Sequence, residues 1–152
     1  MAYSAAEARQ ELLDEVALAT DAIAAALAAL GEAYEQLDEV NGDRLEAELF
    51  RPVQTAYGRA RRTHAEFARR HGLPERAFEP AAAGHPSQGV RGFVDAAVGA
   101  VERADATLAA LQDSLRPVEV GDAELRAGLS EVRRQLADVR ARARGFTRTL
   151  GR

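Results

Sequence analysis

LDEVALATDAIAAALAALGEAYEQL, residues 13–37, is the stretch that decides the fold. Its bulkier positions recur at alternating steps of three and four residues, namely Leu13, Val16, Thr20, Ile23, Leu27, Leu30, Tyr34 and Leu37. This spacing is a heptad seam, which holds one stripe of a helix against a partner helix. Alanine fills most other positions between Val16 and Leu30, so the helix is apolar nearly all round. We therefore expect it to be central to the fold or to lie at a subunit contact.

Capping residues divide the chain into four predicted helices. Ser4 and Glu7 form a capping box at the start of the first helix, and Asn41-Gly42 is predicted to end it. The residues predicted to begin the remaining three helices are Asp43, Ser87 and Asp122. The predicted helices cover about 5–39, 43–71, 88–116 and 122–149.

Prolines and one glycine punctuate this pattern. Pro52 lies inside the apolar periodicity of helix two and predicts a kink or short break between Glu48 and Pro52. Gly72 is predicted to end helix two, and Pro117 to end helix three. Residues 73–88 contain three of the five prolines and show no period, so they form the one long loop.

The fold class that follows is all-α. Four seams with a period of 3.5 residues predict left-handed heptad packing, and the short links at 40–43 and 117–121 predict antiparallel neighbours. We expect residues 1–152 to form a single domain. Its predicted architecture is an antiparallel up-down four-helix bundle with the long loop between helices two and three.

Composition excludes several functions. The chain has no cysteine, which excludes disulfides, thiol catalysis and thiolate metal sites. It also lacks lysine, which excludes lysine-based chemistry. A net charge of -4 does not favour nucleic acid as a partner. We see no signal peptide, and the longest apolar run looks too short and alanine-rich to span a bilayer, so we expect a cytoplasmic protein with no membrane partner.

No motif in the chain predicts catalysis, a metal or a cofactor. Two-metal carboxylate bundles need Glu-x-x-His on two helices, and this sequence has none. It also has no Gly-x-Ser-x-Gly and no glycine-rich phosphate loop. We therefore predict no catalytic residue, no metal and no cofactor, and an enzyme is the less favoured interpretation.

His64 is the most informative single residue. If helices one and two pair through their short link, His64 lies near Thr20, the one polar residue of the helix-one seam, so we predict a buried polar pair. The alternative is a phosphotransfer histidine. The Lys and Gly that follow such a histidine in phosphotransfer bundles are absent here, where Ala65, Glu66, Phe67 and Ala68 follow His64.

Arginines and histidines are predicted to gather at one end of the bundle. In an up-down bundle the C-terminal ends of helices two and four share an end, beside the 73–88 loop. The residues predicted there as an anion- or partner-binding site are Arg62, Arg69, Arg70, His71, His85, Arg144 and Arg148.

The function predicted from these features is association without catalysis. A second line of mostly small residues lies beside the helix-one seam and predicts a homodimer through Leu12, Ala19, Ala26 and Ala33. A different protein partner is also compatible with this interpretation. The alternative is a ligand- or anion-binding bundle, with an enzymatic or phosphotransfer role, that uses the arginine- and histidine-rich end.

Overall fold

The structure, a computed structural model, describes residues 4–79 and 89–150, and the regular secondary structure in these ranges is all helical. No strand occurs in these ranges. The helices in chain order are α1 (Ala5–Glu35), α2 (Glu39–Leu45), a π-helical segment (Glu46–Phe50), α3 (Arg51–His71), α4 (Gly89–Asp113), α5 (Arg116–Glu119), α6 (Ala123–Leu136) and α7 (Val139–Leu150).

Three predicted helix ends are confirmed by their hydrogen bonds or backbone angles. The Ser4 hydroxyl accepts a hydrogen bond from the Glu7 amide at 3.1 Å. The Asp122 carboxylate accepts one from the Leu125 amide at 2.7 Å and begins α6. Gly72 ends α3 in the left-handed conformation, with φ of 65°, which glycine adopts without strain.

The first helix is shorter than predicted. It ends at Glu35, because the Asp38 carboxylate accepts a hydrogen bond from the Asn41 amide and begins a new helix, α2. Asn41-Gly42 therefore lies inside α2, and the predicted stop there and the start at Asp43 are both wrong. Gly42 permits close packing of α2 against Tyr34, since an added Cβ would lie 3.2 Å from the Tyr34 ring.

The other long helices are also interrupted. The irregularity predicted before Pro52 is present as the π-helical segment, which ends at Phe50, just before the proline that cannot donate a backbone hydrogen bond. Helix three ends at Asp113, and Pro117 lies in the first turn of α5 rather than after a longer helix. Helix four is split after Leu136 into α6 and α7. Ser87, the predicted cap of helix three, lies outside the described residues.

Contacts between the helices show their directions. Arg116 Nη2 lies 3.1 Å from Glu15 Oε1, which places the chain after α4 beside the first half of α1. Arg91 Nη2 donates to the Thr147 carbonyl at 3.0 Å, so the start of α4 lies beside the end of α7. Arg70 Nε lies 2.8 Å from Asp122 Oδ2, so the end of α3 lies beside the start of α6. Both α3 and α4 therefore run antiparallel to α1, and α6 and α7 run parallel to it.

This order of directions differs from the predicted up-down order. The second and third helical regions run the same way, so the chain between α3 and α4 starts at one end of the molecule and finishes at the other. Residues 73–88 reach about 50 Å when extended, and α4 is only about 37 Å long. The length of the loop therefore allows the crossing.

The core is continuous and α1 lies at its centre. It packs most extensively on α4 and also along α3. Leu27 and Leu37 of the predicted seam are only partly buried, and Tyr34 is 42% exposed. The second line is the better buried one, because Leu12, Ala19, Ala26 and Ala33 are each no more than 1% exposed within a single chain. These four residues are thus already covered without a second copy.

By length and composition α1 could cross a membrane, which differs from the expectation that its apolar run is too short. Its most apolar window has a mean hydropathy of 1.6, and 56% of that window is buried inside the protein. A helix that is apolar all round and packed between other helices has this same composition.

Replacing Ala26 by leucine tests whether this face of α1 is filled within the chain. We expect Ala26→Leu to lower the free energy of unfolding by about 1–3 kcal/mol, because the added carbons overpack a closed core. Urea denaturation measures the change. Ala96→Leu, at an exposed alanine of α4, is the matched control and should change stability by less than about 0.5 kcal/mol. Equal effects of the two substitutions would show that the Ala26 face is open.

Candidate functional site

The residues predicted to form one charged end are separated in the structure. Arg62 and Arg69 line a groove beside α3, whereas Arg70 and His71 bind Asp122. Arg144 lines a different groove between α4 and α7. Arg148 lies on α7, and His85 is outside the described residues. The reason is the direction of the helices, since the C-terminal ends of α3 and α7 lie at opposite ends of the molecule.

Residues 73–79, which we call the strap, follow α3 as a non-helical segment fastened to two helices. The Leu73 amide donates to the Ala68 carbonyl at 2.8 Å, and the Leu73 side chain packs against the core. Arg76 makes two hydrogen bonds to Asp21 of α1, at 2.9 and 3.1 Å. Glu75 pairs with Arg69 of α3 at 3.1 Å. The strap thus returns along α1 and α3 from the end of α3.

An open groove of about 470 Å³, which we call the arginine groove, lies between the strap and α3. Its charged and aromatic lining residues are Arg61, Arg62, Glu66, Arg69, Arg76 and Phe78. The lining thus contains four arginines and one glutamate. The groove between α4 and α7 has no such excess, because its charged residues are Asp95, Glu102, Arg140 and Arg144.

Two of the four arginines of the groove make an ion pair with a carboxylate, and the other two make none among the described residues. Arg69 and Arg76 have the carboxylates of Glu75 and Asp21 as partners. Arg61 instead lies over the Tyr57 ring, with its guanidinium carbon 5.2 Å from the ring centroid. Within residues 4–79 and 89–150, no ion pair forms at Arg61 or Arg62. The groove therefore keeps positive charge available for an anionic group.

His64 lies behind the strap and is only 3% exposed. Its ring meets the Phe78 ring edge-on, with 5.0 Å between centroids, and its Nδ1 atom has no hydrogen-bond partner among the described residues. Thr20 is also fully buried, but its hydroxyl donates to the Val16 carbonyl of its own helix at 2.7 Å. Both predicted polar residues are buried, and Thr20 satisfies its hydroxyl without His64.

Burial lowers the pKa of His64 below its usual value of 6.5, and the positive charge of Arg76 lowers it further. Asp14, Glu75 and Asp21 act in the opposite direction but are outweighed. The closed strap therefore favours the neutral imidazole. A buried histidine in this state is sensitive to any movement that brings it to water.

A second cluster joins the end of α3 to the start of α6. Asp122 accepts hydrogen bonds from Arg70 at 2.8 and 2.9 Å, and His71 Nε2 lies 2.9 Å from its carboxylate. Partial burial raises the pKa of the Asp122 carboxyl, but hydrogen bonds from Arg70, the Leu125 amide and His71 outweigh this and hold the pKa at about 2. This cluster is a clamp between helices, because its charges are used within the chain.

The sequence patterns did not point to the strap residues of the groove. Arg76 and Phe78 lie in a segment with no periodicity, and their contacts with Asp21 and His64 join parts of the chain that are distant in sequence. Of the α3 arginines that line the groove, Arg62 and Arg69 belong to the site predicted from the sequence. Among the described residues, no three histidine, aspartate or glutamate side chains are grouped so as to hold a metal ion.

Replacing Asp122 by asparagine tests the clamp. The folded pKa is depressed, so the carboxylate stabilises the fold fully above about pH 4 and loses this effect as the pH falls towards 2. We expect Asp122→Asn to cost about 1–2 kcal/mol at pH 7, allowing for solvent screening of a side chain that is 26% exposed, and almost nothing at pH 2. Urea denaturation at both pH values measures this. Asp95→Asn, at an exposed position of α4, should have no such effect, and a cost at Asp122 that is independent of pH would contradict the clamp.

Comparison with known proteins finds no family model, no curated protein and no solved structure that matches this chain.

Proposed function

We propose that this protein is a non-enzymatic helical protein that binds an acidic segment of a partner protein in the arginine groove. The observation that supports this proposal is the collection of four guanidinium groups around one open groove, two of them without an ion pair in the described part of the chain. Association is thus assigned to a charged groove on the surface rather than to the apolar face of α1.

The lining suits carboxylates on an extended peptide. A guanidinium group donates two parallel hydrogen bonds to a carboxylate. Arginine is therefore more selective for carboxylates than a lysine ammonium, which acts as a point charge. A groove of about 470 Å³ is within the range that holds several side chains of a ligand. Phe78 and Ala77 add apolar surface on the strap side, against which the stems of acidic side chains can pack.

The same lining argues against catalysis in the groove. Arginine stays protonated near neutral pH, so these four residues cannot serve as general acid or base. His64 contacts the lining through Phe78, which lies edge-on against its ring, and is itself buried. Binding by charge and shape is therefore the chemistry that these residues favour.

A homodimer stays a prediction, and it would need a surface other than the buried line of Leu12, Ala19, Ala26 and Ala33. The cytoplasmic location and the absence of membrane and nucleic-acid partners likewise stay predictions, as does left-handed packing of the helices.

Charge reversal in the groove tests the proposal. A rhodamine-labelled octa-aspartate peptide serves as the probe, and fluorescence anisotropy at about 0.15 M salt measures its affinity, because distant charges are then screened beyond about 8 Å. We expect Arg61→Glu/Arg62→Glu to weaken binding about tenfold or more, since two charge-assisted contacts are replaced by repulsion.

The control is Arg142→Glu/Arg148→Glu, which makes the same change in charge at two exposed positions of α7. An equal loss in both double variants would mean general attraction to a charged surface and would contradict the groove as the site. A thermal-shift measurement with sulfate distinguishes binding of a small free anion from binding of an acidic peptide. Stabilisation by sulfate without any peptide binding would favour a site for a small anion and would overturn the proposal that the ligand is an acidic peptide segment.

A further inference from the structure

We propose that the strap is a proton-controlled wall of the arginine groove, which is closed while His64 is neutral and is released when His64 takes up a proton. Movement of the strap away from α3 would remove Arg76 and Phe78 from the groove. The acidic peptide bound in the groove would therefore dissociate on acidification. This last consequence rests on the proposed function, whereas movement of the strap does not.

His64 lies directly against the strap. Its ring is buried, and Phe78 of the strap is the aromatic residue that lies against it, at 5.0 Å and 87°. The Nδ1 atom has no hydrogen-bond partner among the described residues. A buried polar atom without a partner costs stability, and movement of Phe78 would open a route from this ring to water.

The charges around His64 come from two elements. Asp14 and Asp21 lie on α1, and Glu75 and Arg76 lie on the strap. Arg76 is held by Asp21, and Glu75 is held by Arg69. A proton on His64 would place a positive charge on a buried ring, which is unfavourable first because of the burial and second because Arg76, whose side chain is about half exposed, lies nearby. The charges of His64 and Arg76 repel each other. Release of the strap relieves this repulsion and rehydrates the imidazolium.

The direction of the effect follows from linkage. The closed strap lowers the pKa of His64, so the closed state binds the proton less well than the open state does. Closure is therefore favoured fully above about pH 6.5 and is progressively lost below it, by up to about tenfold per pH unit in the closing equilibrium.

The predicted effect on binding is opposite to that of simple electrostatics. Ordinary histidines gain positive charge as the pH falls, which alone strengthens binding of an acidic peptide. Release of the strap instead weakens binding, because Arg76 and Phe78 form one wall of the groove. The sign of the pH dependence therefore separates the two explanations.

The first experiment follows the strap in the free chain. The sequence contains no tryptophan, so Phe78→Trp introduces a single fluorophore on the strap. We expect its acrylamide quenching constant to rise about twofold or more from pH 7.5 to pH 5.5. The rise should disappear when His64→Phe is added, because phenylalanine keeps the ring packing and cannot titrate. His64→Gln is a second non-titrating variant, and His71→Gln should leave the rise unchanged.

Equal quenching at both pH values would overturn the switch, and so would a rise that persists in both His64 variants. The second experiment measures the affinity of the octa-aspartate peptide for the protein with native Phe78 at the same two pH values. We expect it to fall about threefold or more at pH 5.5, and to stay level or increase in His64→Phe.

The two proposals fail in different ways. A pH-dependent strap in a chain that binds no peptide at either pH would contradict the proposed function and support the switch. Peptide binding that depends on Arg61 and Arg62, with quenching that is independent of pH, would support the proposed function and overturn the switch.

Discussion

The apolar surface of α1 is the constraint on which the rest of the structure depends. This helix is 31 residues long and alanine-rich on most faces, so one partner helix cannot cover it. The chain covers it with α3 and α4, and both run antiparallel to it. Since α3 and α4 then share a direction, the chain between them has to return from one end of the molecule to the other. The strap is the first part of that return.

The charge that interrupts the apolar stretch of α1 determines where the strap is held. Asp21 is the one charged residue between Val16 and Leu30, and Arg76 binds it through two hydrogen bonds. This contact places the strap alongside α3, whose exposed face carries Arg61, Arg62 and Arg69. The arginine groove is thus a consequence of how the long connection leaves α3, and neither element forms it alone.

Local rules explain what the sequence could predict, and their range explains what it could not. Helix type and several ends depend on nearby residues, so the caps at Ser4 and Asp122 and the glycine end at Gly72 were readable. Helix directions depend on contacts between distant residues, such as Arg116 with Glu15. The predicted charged end assumed alternating directions and therefore joined Arg144 to Arg69, whereas the actual neighbour of Arg69 is Glu75.

Two departures from ordinary protein chemistry meet at the strap. One is a buried histidine, His64, whose Nδ1 atom has no hydrogen-bond partner among the described residues. The other is the set of four arginines that line one groove, of which Arg61 and Arg62 make no ion pair among the described residues. Departures of this kind concentrate at functional sites, because stability there is exchanged for another property. An anionic occupant relieves the second departure, and proton uptake with release of Phe78 relieves the first. Since Arg76 takes part in both, a single segment of seven residues connects binding in the groove to the ionisation of the buried ring.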